Sequence, residues 1–315
     1  MKTDPLHIID SHTEGEPTRL IVSGGPNLGS GSVADLANIF GRDHAVLRRA
    51  LCREPRGHDA VVGGMILPTS NPDCLCGAFF FNNATTIPMC VHGTIGLVAT
   101  LKHLGSISVG HHRIDTPAGI IDVELMQDGR VEVTNVPSRV LRSGVTLDVP
   151  DWGPITGDIA WGGNGFFAID HLGPAIAFEN IPELTRFGLA VKKALAAAEL
   201  DRVDGITIDH VEIFGPPSDP SLADSQNFVL CPGNAYDRSP CGTGISAKLA
   251  CLHAAGKIAP DTTWRQAGIL NTIFTGRIAR VTPDHITPVI GGRAWILSEA
   301  THHFDPTDPF LDGIG

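Results

Sequence analysis

The chain has 315 residues, with 23 Lys and Arg against 34 Asp and Glu, for a formal net charge of −11. Such a surface does not attract nucleic acid or an anionic membrane, and the basic residues are scattered rather than clustered. The opening MKTDPLHIID lacks the hydrophobic region of a signal peptide, and no apolar run approaches the roughly 18 residues of a membrane span. The expectation is a soluble cytoplasmic protein, long enough for two domains with substantial cores.

From the N-terminus, LHIIDSH and TRLIVSG read as strands. A helical pattern follows over Ser32–Cys52, broken near Gly41. AVVGGMIL, GAFFFNN, HRIDTPAG, IIDVELM and RVEVTNVP read as further strands, separated by turns rich in glycine and proline. Between GAFFFNN and HRIDTPAG lies MCVHGTIGLVATL, an apolar helical run that ends at Gly105. Another helix is predicted over Pro182–Leu200, with Pro182 suited to the first helical position. The run PCGTGISAKLACL, ending at Gly256, is the last.

The first and last of these apolar runs match. At an offset of 241 − 90 = 151, Cys90 aligns with Cys241, Gly93 with Gly244, Ala99 with Ala250, Leu101 with Leu252 and Gly105 with Gly256. Five coincidences in so short a window indicate two halves built alike. Each helix is apolar nearly all round, so each is a buried one. The predicted fold is α+β, with two similar domains, each a curved mixed sheet wrapped around a central helix. The turn MQDGR at Asp128–Gly129 places the boundary, and SEATHHFDPTDPF returns to the first half. One half then spans 1–128 plus 298–315 and the other 129–297, with the active site in the cleft between them.

A cysteine before each helix has a chemical reason. The first N–H groups of a helix lack internal partners and carry partial positive charge, which favours an anion. A thiolate there is favoured too, and its lowered pKa makes it a base near neutral pH. Gly93, Gly242 and Gly244 let backbone N–H groups approach a ligand closely. A small carboxylate between two such sites would have a sulfur on each side of its α-carbon. One sulfur removes the proton and the other returns one to the opposite face, which inverts the centre without a cofactor.

A cysteine protease built on Cys90 and His92 is the rival reading. Residues i and i+2 at a helix start do not normally face each other, and Cys241 would be idle. The remaining cysteines, Cys52, Cys74, Cys76, Cys231 and Cys251, form no disulfide framework. Cys52 and Cys251 read as buried thiols, and Cys231 as packing at a strand end. Cys74 and Cys76 lack the second ligand pair of a zinc site, so no metal is expected. The polar HTEGEP, with His12, Glu14 and Glu16, reads as a strand-to-turn segment, with a pocket rim as the alternative.

Taken together, IDSHTEGEPTRL, EPRGHD, FFFNN leading into MCVHGTIG, GDIAWGGN, IDHVEIF, DSQNFVLCPGNAYDRSPCGTG and QAGI make the chain resemble the proline racemase family. That family lies within the two-cysteine epimerases that include diaminopimelate epimerase. AYDRSPCGTG and GDIAWGGN are most similar to the 4-hydroxyproline 2-epimerase branch. The resemblance implies Cys90 and Cys241 as paired acid and base on an imino-acid substrate. It places the substrate carboxylate on the backbone at Val91, His92, Gly242 and Thr243, the ring ammonium at Asp237, and the ring beside His210. It implies no cofactor, and relatives imply a homodimer. Val91 stands where the family usually has glycine, and Gly165 where a bulky aromatic is common, which predicts an enlarged pocket wall. A 3-hydroxyproline dehydratase would replace one cysteine by threonine, and a non-catalytic binder would need neither. Proline racemisation on the same scaffold is the nearest alternative.

Overall fold

The computed structural model describes residues 4–170 and 173–314, which form two compact units. One contains residues 1–133 and 292–315, the other residues 134–291. The first three residues of the N-terminal stretch lie outside the described residues.

The first unit opens with β1 (Leu6–Thr13) and β2 (Glu16–Ser23), an antiparallel hairpin in which Thr13 pairs with Glu16. Its two turn residues, Glu14 (φ 47°) and Gly15 (φ 104°), both have the positive φ that matches the twist of the strands. Helices α1 (Val33–Asp43) and α2 (Ala45–Cys52) follow. Ser32 and Asp35 close a capping box at the start of α1. The helical pattern breaks at His44 rather than at Gly41, which stays helical against the Thr86 side chain. Then come β3 (Val62–Leu67), β4 (Cys76–Phe81), the short β5 (Thr86–Ile87), α3 (Val91–His103), β6 (Gly110–Thr116), β7 (Gly119–Leu125) and β8 (Arg130–Thr134).

The second unit runs β9 (Arg139–Val149), β10 (Gly153–Trp161), β11 (Gly165–Asp170), α4 (Ile181–Ala197), β12 (Arg202–Val203), β13 (Ile206–Gly215) and β14 (Ser225–Leu230). It continues with α5 (Gly242–Ala254), β15 (Trp264–Ala267) and β16 (Ile273–Val281). The long β17 (Ile286–His302) pairs with β16 through its first residues and with β1 through its later ones. Pro182 lies in the first turn of α4, where its missing N–H costs nothing.

The two sheets repeat one pairing scheme. In the first unit the order β17–β1–β2–β3–β4–β6–β7 is antiparallel, antiparallel, parallel, antiparallel, parallel, antiparallel. In the second, β9–β10–β11–β13–β14–β15–β16 follows the same sequence of senses. Each parallel step needs a crossover, and helices supply it: α1 and α2 before β3, α4 before β13, α3 before β6, α5 before β15. The expected α+β fold of two similar domains is therefore present, with a mixed sheet in each.

Both faces of these sheets are covered. Phe79 and Phe81 of β4 pack with Phe40, Leu36 and Leu47 from the α1–α2 side, while Phe80 points the other way, against Gly93 of α3. In β13, Val211 and Ile213 join Leu184, Phe187 and Val191 of α4. The alternate residue Glu212 faces α5, against Gly244. Helix α3 is buried at every position from Val91 to Val98, and α5 at every position from Gly242 to Cys251. No helix among the described residues is long and apolar enough to cross a membrane.

Candidate active site

Helices α3 and α5 are each 13 residues long and begin one residue after their cysteines. Cys90 caps α3 with extended backbone (φ −140°, ψ 103°), and its Sγ accepts the Gly93 N–H at 3.3 Å. Gly93 is needed there because an added Cβ would come within 2.7 Å of the Phe80 ring. The Cys90 carbonyl accepts both the N–H (2.9 Å) and the hydroxyl (2.8 Å) of Thr94. His92 Nδ1 lies 3.4 Å from Cys90 Sγ. That contact corrects the expectation that these two residues face apart. Cys90 precedes the helix, so its extended backbone swings the sulfur over the first turn instead of following the helical spacing.

Cys241 caps α5 quite differently. Its backbone is left-handed (φ 57°, ψ 92°), which a non-glycine residue adopts only when its surroundings enforce it. Ser239 Oγ accepts the Cys241 N–H at 3.2 Å, and Asp237 Oδ1 accepts both the N–H and the hydroxyl of Ser239 at 2.8 Å. On the other side, Asn227 Nδ2 donates to the Pro240 carbonyl (2.8 Å) and to Glu212 Oε1 (2.7 Å). The Cys241 thiol is held well above its ordinary range, first by burial, then by the Asp237 carboxylate and, once it ionises, by Glu212. At Cys241 the helix N-terminus therefore does not produce the lowered pKa expected from the sequence. Desolvation and neighbouring negative charge outweigh it. Cys241 stands ready as a proton donor.

The residues expected to hold a carboxylate all lie in the first turns of these helices. Val91, His92, Gly242 and Thr243 are buried, and their N–H groups belong to the set that a helix cannot satisfy internally. The Val91 side chain is 1% exposed and packs into the first unit.

The tip of a β-hairpin holds the second residue of each helix. In the first unit Thr13 Oγ1 donates to the His92 carbonyl at 2.8 Å. In the second, Asn164 Nδ2 donates to Thr243 Oγ1 at 3.2 Å, and Gly162 lies so close to the Thr243 carbonyl that a Cβ would collide with it. HTEGEP and WGGN thus share the task of holding a helix start, a role that the sequence did not suggest for either. Their common place, a hairpin just before a parallel crossover, was the available signal.

His210 is buried on β13, 4.8 Å from the Phe166 ring, with Nδ1 2.7 Å from Asp209 Oδ1. Asp237 is 4% exposed and spends one oxygen on the Ser239 turn. At Gly165, where an enlarged pocket wall was expected, a Cβ would collide with the Thr207 carbonyl across the β11–β13 pairing. The sequence reading also missed Glu212, Asn227 and Ser239, which converge on Cys241 from three segments.

The seven cysteines, all among the described residues, form no disulfide. Burial pushes Cys52 and Cys251 up to about 12 and Cys76 up to about 11, so these are inert packing groups. No cluster of three or more His, Cys, Asp or Glu among the described residues is arranged to hold a metal ion.

Comparison with known proteins matches this geometry to one family. The proline racemase family model matches residues 8–315. The 4-hydroxyproline 2-epimerase of Pseudomonas fluorescens is 49% identical over 310 residues, covering 98% of this chain and 99% of its own. Among solved structures, a hydroxyproline epimerase from Agrobacterium vitis with bound trans-4-hydroxy-L-proline superposes with a TM-score of 0.89 at 26% identity, covering 99% of this chain and 95% of its own. A probable proline racemase from Agrobacterium radiobacter with bound carbonate reaches 0.90 at 26% identity, covering 98% and 96%. With two cysteine-capped helices in two sheets of identical pairing, and a family match along nearly its whole length, this chain belongs to the proline racemase family and is an isomerase.

Proposed function

We propose that the protein is a cofactor-independent 4-hydroxyproline 2-epimerase, which interconverts trans-4-hydroxy-L-proline and cis-4-hydroxy-D-proline. The observation that carries the reading is the matched pair Cys90 and Cys241, each capping an equivalent buried helix. The substrate named for the full-length relatives supports the choice of ring.

Inversion at C2 requires a base on one face and an acid on the other. The thiolate takes the C2 proton, and the C–H electron pair passes into the carboxylate as an enediolate. The opposing S–H then gives its proton to the other face of C2, so the two sulfurs exchange protonation states. Cys241, held as a thiol, supplies the acid in one direction, and Cys90 is then the base. The developing negative charge falls on the carboxylate oxygens, where the N–H groups at Val91, His92, Gly242 and Thr243 stabilise it. Asp237 pairs with the ring ammonium, and His210 borders the ring. Seven cysteines without a disulfide suit a reducing cytoplasmic compartment.

The test is incubation with trans-4-hydroxy-L-proline in deuterated water, with C2 followed by NMR and L-proline and 3-hydroxyproline run in parallel. The reading expects deuterium at C2 together with the cis-D product. Faster exchange on L-proline would make the protein a proline racemase. Loss of water from 3-hydroxyproline would make it a dehydratase. No exchange on any imino acid would leave only binding.

A further inference from the structure

We propose that Glu212 is a positioning residue for Cys241: its carboxyl, seated beneath the first turn of α5, holds Asn227 against the Pro240 carbonyl and so fixes the left-handed backbone from which the thiol projects. The inference rests on the epimerase reading, in which Cys241 must meet C2 at a defined angle.

The two units meet the same packing problem at Gly93 and Gly244, the corresponding glycines of α3 and α5. In the first unit the space against Gly93 is filled by the Phe80 ring. In the second, Glu212 Oε2 lies so close to Gly244 that a Cβ would collide with it. Glu212 is fully buried, and Oε2 has no hydrogen-bond partner. Burying a carboxyl where an apolar ring would serve is unfavourable unless the group has work to do. Its other oxygen shows that work. Glu212 Oε1 accepts one N–H of the Asn227 amide, and the same amide nitrogen donates to the Pro240 carbonyl. The Pro240–Cys241 peptide is thereby held at both ends, its C=O by Asn227 and its N–H by Ser239 Oγ. A peptide plane held at both edges cannot rotate Cys241 out of its left-handed conformation. Cys90, extended and unstrained, needs no such brace.

The groups facing Glu212 are Asp237 from the loop before α5, Lys248 and Cys251 of α5, and Cys241 itself. Burial raises Glu212 to about 8, against the opposing effects of Asn227 and Lys248. The carboxyl is thus uncharged at neutral pH. Above that range its ionisation puts a negative charge beside the Cys241 sulfur.

Two measurements on the full-length protein test this. The first is the pH dependence of Cys241 alkylation by iodoacetamide, read by mass spectrometry, in wild type and Glu212→Gln. The second is kcat and KM for these proteins and for Glu212→Leu. Glutamine reproduces the neutral carboxyl, so Glu212→Gln should keep wild-type kcat near pH 7. Its Cys241 alkylation curve should move to lower pH, with a rate at pH 9.5 raised roughly 3- to 10-fold because the neighbouring charge is gone. Glu212→Leu should lose about 10- to 100-fold in kcat with KM little changed, as expected when the reacting group is misplaced. The proposal is overturned if the Glu212→Gln and wild-type alkylation curves coincide, or if Glu212→Gln loses as much kcat as Glu212→Leu. If Glu212→Leu does not fold, the Glu212→Gln alkylation curve alone decides. A wild type without epimerase activity but with a shifted Cys241 curve in Glu212→Gln would defeat the proposed function and leave the coupling of Glu212 to Cys241 standing.

Discussion

Cys90 and Cys241 cap their helices from opposite sides of φ space, at −140° and +57°. A left-handed L-residue costs on the order of 1–2 kcal/mol, and glycine relieves that cost. Replacing both cysteines by glycine should therefore give unequal results. Cys241→Gly regains backbone freedom while losing a small side chain, whereas Cys90→Gly also loses the cap to the Gly93 N–H. We expect Cys90→Gly to be less stable than Cys241→Gly by about 1 kcal/mol, measured by urea denaturation, with both inactive. Equal losses would mean that the backbone at Cys241 stores no strain.

Serine at either position tests the chemistry separately from the fold. A hydroxyl is too weak a base near neutral pH to replace a thiolate, and it is close to a thiol in size. Cys90→Ser and Cys241→Ser should each lose on the order of 10²–10⁴-fold in kcat, with unchanged circular dichroism and melting temperature. A single mutant that retained most of its turnover would defeat the two-base scheme.

The repeat was legible in the sequence because Cys90, Gly93, Ala99, Leu101 and Gly105 recur at one offset, and the fold honours that offset residue for residue. The parts of the site that were not legible arrive from distant strands. Glu212 looks like one more residue of HVEIF until strand alternation turns it toward α5 and the β13–β14 pairing brings it near Asn227. His92 looked averted from Cys90 because a helical spacing was applied to a residue outside the helix. Gly165 looked like a missing side chain, although the space it leaves is occupied by the Thr207 carbonyl. Sequence patterns report which face a residue takes within its own element. They do not report what another element places against that face.

Gly165→Ala is consequently a stability variant and not a specificity variant. The added methyl forces β11 and β13 apart at a register shift. A loss of about 1–3 kcal/mol is expected, read as a lower urea midpoint with an unchanged slope. Altered ring preference at undiminished stability would restore the pocket-wall reading.

Glu212 also makes a prediction about pH and stability. Its folded pKa, about 8, lies above the ordinary glutamate value of 4.5. The folded state therefore binds the proton more tightly, and this group's contribution is fully present below about pH 4.5. It declines as pH rises and is lost by about pH 8, at a slope approaching 1.4 kcal/mol per pH unit. Unfolding free energies at pH 5, 6.5 and 8 should fall along this series more steeply in wild type than in Glu212→Gln. Parallel curves would mean that Glu212 does not keep its proton.

The placement of the two sulfurs is best tested by a ligand flat at the carbon to be inverted. Pyrrole-2-carboxylate is planar there, like the carbanionic transition state, and carries its charge where the helix N-termini of α3 and α5 can receive it. It should compete with substrate and slow iodoacetamide alkylation of both Cys90 and Cys241. Shielding both is the discriminating result, because a ligand seated on one helix start alone would protect one sulfur and leave the other at its free rate. Each sulfur serves as the other's control, and Cys74, partly exposed, reports any general loss of reactivity. The buried, high-pKa Cys241 will react slowly even without ligand, so its protection must be read at alkaline pH, over longer exposures than Cys90 requires. Protection of one cysteine at saturating ligand would mean that the two thiols do not serve a common carbon.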